Sequence, residues 1–242
     1  MSNKLPIPVD EFASWPFISQ AMNSPLDPMS VLSFFFGVDC MNVDNHIRND
    51  RVSMDSFVQS KLGHQSSEHI MKVSRLWFRG GPAYDEMCMC FKDTIRLLVN
   101  YHNQTHSLSM QPSSTNKEST FCHDRWNDSV HGKMAQQILF DQLARNIFRG
   151  SGEAYTFEHI SLKIAKELGR AALEGSLSLL PIYAFVTGIT IQHSESLHDQ
   201  YLAIDLIDWG DREQGEGGLI KFQFQRQWNV DHKVSQTLLK IC

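Results

Sequence analysis

The clearest structural signal in the chain is the stretch MAQQILFDQLARNIFRG, Met134–Gly150. On a helix that turns by about 100° per residue, its large apolar side chains fall within one half of the circumference. The other half holds Asp141, Gln142, Arg145, Asn146 and Arg149. This polar half contains neither Lys nor Glu, the usual residues of a solvated helix face. The residue order therefore predicts a helix with two distinct faces.

Two interpretations of the polar half stay open on residue types alone. A carboxylate, two amides and two guanidinium groups hydrogen-bond in fixed directions, which favours a recognition surface. The alternative is a solvated face, on which Asp141 and Arg145 form an ordinary i,i+4 ion pair that contributes about 0.3 kcal/mol. Residue types by themselves favour the solvated face.

The composition is typical of a folded globular protein with an ample core. Of the 242 residues, 42% are hydrophobic and 15 are phenylalanine, which argues against a disordered chain. The formal net charge of -5 and the pI near 6.1 give no basic surface for nucleic acid. We therefore expect no nucleic-acid partner.

Cysteine usage and the N-terminus predict a cytoplasmic protein. The five cysteines include one C-x-C pair and no C-x-x-C pair, a pattern typical of free thiols in a reducing compartment. The N-terminus has no apolar segment behind a basic start, so no targeting signal is predicted. Residues 175–192 carry no charge, but Pro181 and Gly188 dilute the segment. A buried helix is favoured there over a membrane-associated segment.

Helical periodicity and helix-capping signals predict an all-α fold with one main domain. Asp27, Pro28 and Gly37 have the positions of a helix cap, a first helical residue and a helix stop. We predict an N-terminal arm at 1–26, a single helical domain at 27–210 with a polar loop insertion at 102–120, and a tail at 211–242. The tail contains a strand-like alternation around Phe222 and Phe224 that has nothing obvious to pair with.

Four blocks of the sequence resemble the DUF924 family of uncharacterised proteins. They are VLSFFFG at 31–37, LWF with Tyr84 and Asp85 shortly after it, the long block at 125–165, and HSESLHDQ at 193–200. The long block is the most specific, because the family pattern is close to LDQ-x-x-RN-x-x-RG. Its matched positions are Asp141, Gln142, Arg145, Asn146, Arg149 and Gly150. The H-S-E block of the family is matched by His193, Ser194, Glu195 and, five residues later, Gln200.

The resemblance implies a tetratricopeptide-like superhelical bundle of antiparallel helix hairpins. It implies no particular reaction, because none is established for the family. It favours a shared site over a solvated face. The ligand-binding residues it predicts are Asp141, Gln142, Arg145, Asn146, Arg149 and Gln200. An F-G-R-F-P-H-R-N-like block that the family carries near its C-terminus is absent here. We therefore predict a diverged or truncated tail at 211–242.

His193 and Glu195 are the candidate catalytic residues. Both precede a predicted helix, whose N-terminal N–H groups and dipole attract an anion. In an enzyme, His193 would act as general acid or base, and Glu195 or Asp141 would orient it. The alternative is a histidine that caps a helix or makes a buried hydrogen bond, with a glutamate that interacts with the helix dipole.

Two functions from different classes stay open. The first is a polar pocket that binds, and in an enzymatic version turns over, a small anionic metabolite. The second is a non-catalytic tetratricopeptide-like module that binds a peptide or protein partner. The chain has no HExxH, Walker A or GxGxxG motif, so we predict no metal and no cofactor.

Overall fold

The computed structural model describes residues 7–44, 46–47, 50–63, 65–107 and 123–214. Within these ranges every regular element is helical and no strand occurs, which confirms the all-α prediction. In chain order the α-helices are α1 (Val9–Ala13), α2 (Pro16–Asn23), α3 (Pro28–Phe36), α4 (Arg51–Leu62), α5 (Ser67–Arg79), α6 (Gly81–Cys88), α7 (Lys92–Ser107), α8 (His123–Asn127), α9 (Val130–Ile138), α10 (Ala144–Ile147), α11 (Glu158–Leu173), α12 (Pro181–Gln192) and α13 (Leu197–Gln214).

The chain divides into two compact units, 1–165 and 166–242. This division differs from the single helical domain, 27–210, that the sequence predicts. The boundary falls inside α11, where the sequence runs on as an uninterrupted helical pattern. A boundary inside a helix has none of the Gly, Pro or polar linker signals by which a sequence marks the edge of a domain.

Helix α3 forms as its end signals predict, and it lies in the core of the first unit. The side chain of Asp27 accepts a hydrogen bond from the backbone N–H of Met29 at 3.0 Å, and Pro28 occupies the first turn. Gly37 ends the helix at a φ of 61°, a left-handed conformation that glycine adopts without steric cost. All nine residues of α3 are buried, as expected for a helix with three consecutive phenylalanines.

The predicted N-terminal arm, 1–26, is helical from residue 9 onward. Phe12 in α1 and Ile18 in α2 are fully buried, and the ring of Phe12 lies 5.7 Å from that of Phe34. Two prolines of this segment lie at the starts of helices and do not interrupt them. Pro8 is the N-cap residue of α1 and Pro16 is the first residue of α2, positions that need no backbone N–H donor.

The predicted polar insertion and tail differ from the structure at their edges. Helix α7 continues through residues 102–107, so the first six positions of the insertion at 102–120 are helical. Its remaining positions lie outside the described residues. Helix α13 likewise continues past residue 210 to Gln214. The rest of the tail at 211–242, including the strand-like alternation, lies outside the described residues.

In the second unit, α12 and α13 form a closely packed antiparallel hairpin. A Cβ atom added to Gly188 would lie 2.6 Å from the side chain of Ile207, and one added to Gly210 would lie 3.0 Å from that of Ala184. The uncharged segment, 175–192, therefore contains a 12-residue buried helix, as predicted. None of the helices in the described part of the chain is long and apolar enough to cross a membrane.

Candidate functional site

Residues 134–147 of the stretch quoted at the outset belong to a longer helical segment, residues 130–147, which we call the central helix; Phe148, Arg149 and Gly150 follow its end. It begins at Ser129, whose hydroxyl accepts a hydrogen bond from the backbone N–H of Gly132 at 2.9 Å. Leu139–Leu143, within the central helix, form a π-helical turn, with α9 before it and α10 after it. A π turn widens a helix by one extra residue, and such turns occur frequently at functional sites.

Most of the predicted polar face is buried. The exposed fraction is 1% for Asp141, 5% for Gln142 and 4% for Asn146, so a solvated face is excluded for these three residues. The side chain of Arg145 is 27% exposed and that of Arg149 is 51% exposed. The central helix therefore has polar groups in the core and guanidinium groups that extend to the surface.

Asp141 is the buried centre of this polar group. One carboxylate oxygen accepts a hydrogen bond from the side-chain amide of Gln142 at 2.7 Å. The other accepts one from the Nε of Arg145 at 2.9 Å. A buried carboxylate without partners is strongly destabilising, and here both of its oxygens have donors.

The guanidinium of Arg145 lies between Asp141 and two residues that follow the central helix. It lies 5.0 Å from the centre of the Tyr155 ring, in a cation–π arrangement. Its Nη2 is 3.8 Å from a carboxylate oxygen of Glu158, which is long for an ion pair. Tyr155 itself is 59% exposed, so this part of the group faces the surface.

Arg149 is held at the end of the central helix by Asp85 of α6. Its Nε donates to one carboxylate oxygen at 2.6 Å and its Nη2 donates to the other at 3.0 Å, a bidentate pair. The same Nη2 donates to the side-chain oxygen of Asn146 at 2.5 Å, and Asn146 donates to the backbone carbonyl of Gln142 at 3.2 Å. The hydrogen bond with Asp85 raises the pKa of Arg149 above its usual value. Arg149 is thereby connected to the π turn.

Sequence reasoning missed three residues of this group: Asp85, Tyr155 and Glu158. Asp85 carried a signal, because it belongs to a block that resembles the family, but nothing in the sequence pairs it with Arg149, 64 positions away. Tyr155 and Glu158 lie within the long block at 125–165 and were read only as parts of a helix. All three lie in the first unit, with the central helix.

The H-S-E block forms a turn between α12 and α13 in the second unit. His193 is the C-cap residue of α12 and is partly exposed, and Glu195 is exposed. The side-chain amide of Gln200 donates to the backbone carbonyls of Gln192 at 2.8 Å and of Ser194 at 2.6 Å. Gln200 therefore has a structural role in this turn.

Asp199 holds the same turn from the other side. It is buried, and its carboxylate accepts hydrogen bonds from the hydroxyl of Ser194 at 2.7 Å and from the ammonium of Lys166 at 3.0 Å. Burial alone would raise the pKa of Asp199, but these two partners more than offset it and lower the pKa below its usual value. The carboxylate is therefore ionised at neutral pH.

The two halves of the predicted pocket lie in different units of the chain. The structure brings Asp141, Gln142, Arg145, Asn146 and Arg149 together in the first unit. It places His193, Glu195 and Gln200 in the turn of the second. The convergence of the two halves on one ligand stays a prediction.

Comparison with known proteins agrees with the resemblance seen in the sequence. The family model described as "Bacterial protein of unknown function (DUF924)" matches residues 54–236, well over half of the chain. The match covers the central helix and the turn at 193–200, and it continues into the tail at 211–242. No curated protein and no solved structure matches the chain.

Proposed function

Because this chain belongs to the DUF924 family of bacterial proteins of unknown function, we propose a function from the chemistry of its central helix. We propose that Arg145 and Arg149 bind a small anion that carries a carboxylate or phosphate group. One observation carries the proposal: the π turn at Leu139–Leu143 buries Asp141 against Arg145, four residues before a second, half-exposed guanidinium.

Stability alone does not account for this arrangement. A buried ion pair can be replaced by packed hydrophobic residues in many proteins with no loss of stability, or with a gain. The side chain of Asp141 is 0% exposed, and it is the one carboxylate among the buried residues of this helix, which are Leu, Ile, Phe, Met and Ala together with neutral polar side chains. A ligand-binding role gives a reason for the buried carboxylate that packing does not give, because a fixed carboxylate holds a guanidinium in one orientation.

The contacts of Arg149 leave part of its guanidinium available to a ligand. Its Nε and Nη2 donate to Asp85 and Asn146, whereas its Nη1 has no protein partner among the residues that the structure describes. A planar guanidinium that is fixed along one edge offers its outer N–H groups to an oxyanion at a small further entropy cost. The Nη1 group of Arg149 can therefore donate to one or two oxygens of a carboxylate or phosphate.

The charges around the site favour recognition by hydrogen bonds. The two guanidinium groups face three carboxylates, those of Asp85, Asp141 and Glu158, so the group as a whole carries a formal net charge of -1. The group therefore gives no net Coulomb attraction to an anion, and binding depends on directed hydrogen bonds to the guanidinium groups. We expect an anion with directed oxygen acceptors to bind, and chloride not to bind.

The enzymatic version of the proposal adds the turn of the second unit. His193 would transfer a proton to or from the bound anion, Glu195 would orient His193, and Gln200 would contact the ligand. Gln142 and Asn146 would contribute amide groups from the central helix.

An exposed apolar pair supports the alternative, a tetratricopeptide-like module with a peptide or protein partner. Leu197 is 67% exposed and Tyr201 is 60% exposed, and they lie one helical turn apart on α13. A partner helix would cover such a pair. The same proposal includes a tetratricopeptide-like superhelical arrangement of the helices. It also includes a cytoplasmic location of the protein, which agrees with its three buried or partly buried free cysteines among the described residues.

Thermal unfolding in the presence of different anions tests the binding proposal. Phosphate, succinate and acetate are compared with chloride at constant ionic strength, for the wild type, Arg149→Ala, Arg149→Lys and the control Arg96→Ala. Arg96 is a matched control, because it is a 56% exposed arginine of the same unit paired with a carboxylate, that of Asp93. A ligand at 100 times its Kd stabilises the folded state by about 2.7 kcal/mol.

We expect phosphate or a carboxylate to raise Tm of the wild type and of Arg96→Ala, and chloride to leave it unchanged. Arg149→Ala should lose the shift, and Arg149→Lys should lose most of it because lysine lacks the planar fork. An equal shift in the wild type and in Arg149→Ala would exclude the proposed site. A wild type that responds to none of the three oxyanions would exclude the proposed function.

A further inference from the structure

The residue that holds Arg149 lies outside the two blocks that contain the predicted site residues. Asp85 is the fifth residue of α6, and its side chain is only 16% exposed. Its carboxylate meets Arg149 along one edge of the guanidinium, with donor–acceptor distances of 2.6 and 3.0 Å. We infer that Asp85 is a positioning residue of the anion site, which orients Arg149 toward the ligand; this inference rests on the proposed function.

The position of Asp85 is fixed by its own helix. Gly81 begins α6 at a φ of 68°, a backbone conformation that favours glycine, and Pro82 lies in the first turn. Tyr84, next to Asp85, is 1% exposed, and its ring stacks on Phe34 at 5.6 Å. Cys88, one turn later, is fully buried. Since two buried side chains set the rotation of α6, Asp85 has little freedom to move away from Arg149.

The hydrogen bonds of Arg149 divide its guanidinium into a held edge and an outer end. Asp85 accepts from Nε and Nη2, and Asn146 accepts from Nη2 as well. Asn146 in turn donates to the carbonyl of Gln142 in the π turn. The guanidinium is therefore fixed from two elements, α6 and the central helix, and only the end that carries Nη1 can turn to a ligand.

Two other roles for Asp85 give different results and can be separated by experiment. If Asp85 only joins α6 to the central helix, its removal lowers stability and leaves anion affinity unchanged. If Asp85 competes with the ligand for Arg149, its removal frees the guanidinium and strengthens anion binding. A positioning role predicts weaker binding, because a guanidinium that rotates must be ordered again when the ligand binds.

The test is calorimetric titration with inorganic phosphate and with succinate, at constant ionic strength. The proteins are the wild type, Asp85→Asn, Asp85→Glu, Arg149→Ala and the double variant Asp85→Asn with Arg149→Ala. We expect Asp85→Asn to raise Kd about tenfold, and Asp85→Glu to recover part of the loss because it keeps the bidentate carboxylate. In the Arg149→Ala background, which should not bind either probe, Asp85→Asn should not restore binding.

A second readout follows the orientation of Arg149 directly. The Nε–H signal of Arg149 in an NMR spectrum should be protected from exchange in the wild type and lose that protection in Asp85→Asn. Unchanged or tighter binding by Asp85→Asn would overturn the positioning role while leaving the anion site in place, provided that Arg149→Ala abolishes binding. If Arg149→Ala binds both probes as the wild type does, or if the wild type binds neither, the proposed function fails and the positioning role fails with it.

Discussion

The two segments that match the family most specifically use their polar residues in different ways. In the central helix, polar side chains bond to one another: Asp141 to Gln142 and Arg145, and Asn146 to Arg149. In the turn between α12 and α13, the side chain of Gln200 bonds to the backbone, and the buried carboxylate of Asp199 bonds to the side chains of Ser194 and Lys166. The amide of Gln200 accounts for two backbone carbonyls there.

This difference separates a structural requirement from a chemical one. The backbone carbonyl groups of a turn need hydrogen-bond donors. A side-chain amide that supplies these donors therefore has a sufficient structural role, and no ligand is needed to account for it. A helix needs no buried carboxylate, because its backbone groups already bond to each other. The network of the central helix is therefore the better candidate for chemistry, and the turn is the better candidate for fold.

Removing the buried carboxylate should give the largest effect on stability. Asp141→Ala removes the hydrogen bonds that its carboxylate accepts from Gln142 and Arg145, so we expect a loss of about 3 kcal/mol in the free energy of unfolding. Urea denaturation measures it. Asp93→Ala is the matched control, since Asp93 pairs with an arginine but is 86% exposed, and it should cost less than about 0.5 kcal/mol. Similar losses in the two variants would show that the buried network is not special.

Removing the amide of the turn should give a smaller effect. Gln200→Ala leaves the carbonyls of Gln192 and Ser194 without this donor, and we expect a loss of about 1.5 kcal/mol. Glu195→Ala, in the same exposed turn, should change stability by less than about 0.5 kcal/mol. A loss of anion binding in Gln200→Ala with stability unchanged would reverse the comparison and assign the turn to the site.

The turn should also be sensitive to acid. The partners of Asp199 lower its pKa in the folded state below its usual value of 3.8, so the unfolded chain binds the proton first as the pH falls. The stability that Asp199 contributes is present above about pH 4 and is lost as the pH falls through its folded pKa. Asp199→Asn should therefore flatten the decline in stability between pH 5 and 3, which denaturation at a series of pH values measures. The exposed Asp205→Asn, on the same helix, should leave the decline as in the wild type.

The weakest contact of the central network should have the smallest effect. Glu158 is 31% exposed and lies 3.8 Å from Arg145, so Glu158→Gln should change the free energy of unfolding by less than about 0.5 kcal/mol. Equilibrium denaturation of Glu158→Gln and Asp141→Ala, measured together, compares the two losses in the free energy of unfolding. A loss as large as that of Asp141→Ala would mean that the orientation of Arg145 depends on Glu158 as well.

The sequence predicts the central helix well because its signals are local. Apolar spacing locates the helix, and the caps of α3 at Asp27, Pro28 and Gly37 have the expected roles. The π turn is different, because its residues have no sequence signature that separates them from an α-helix. Burial of Asp141 and Gln142 likewise depends on elements distant in the chain that cover them. The apolar spacing of a helix predicts burial of its apolar face only, so it gives no sign that the polar face is buried too.

The partner of Arg149 could not be predicted for a related reason. Asp85 and Arg149 are 64 positions apart, and a single sequence contains no information about which carboxylate meets which guanidinium. The N-terminal segment, predicted only as an arm at 1–26, contains local signals that fit helices. Pro8 and Pro16 lie at the starts of α1 and α2, where proline is well tolerated.

The most direct test of the anion site is an NMR titration of the full chain with inorganic phosphate and with succinate, observing the arginine Nε–H signals. The site predicts that the signals of Arg145 and Arg149 shift and saturate together with at least one of the two anions, while that of Arg96 does not move. Signals of Arg145 and Arg149 that stay in place through both titrations would contradict it.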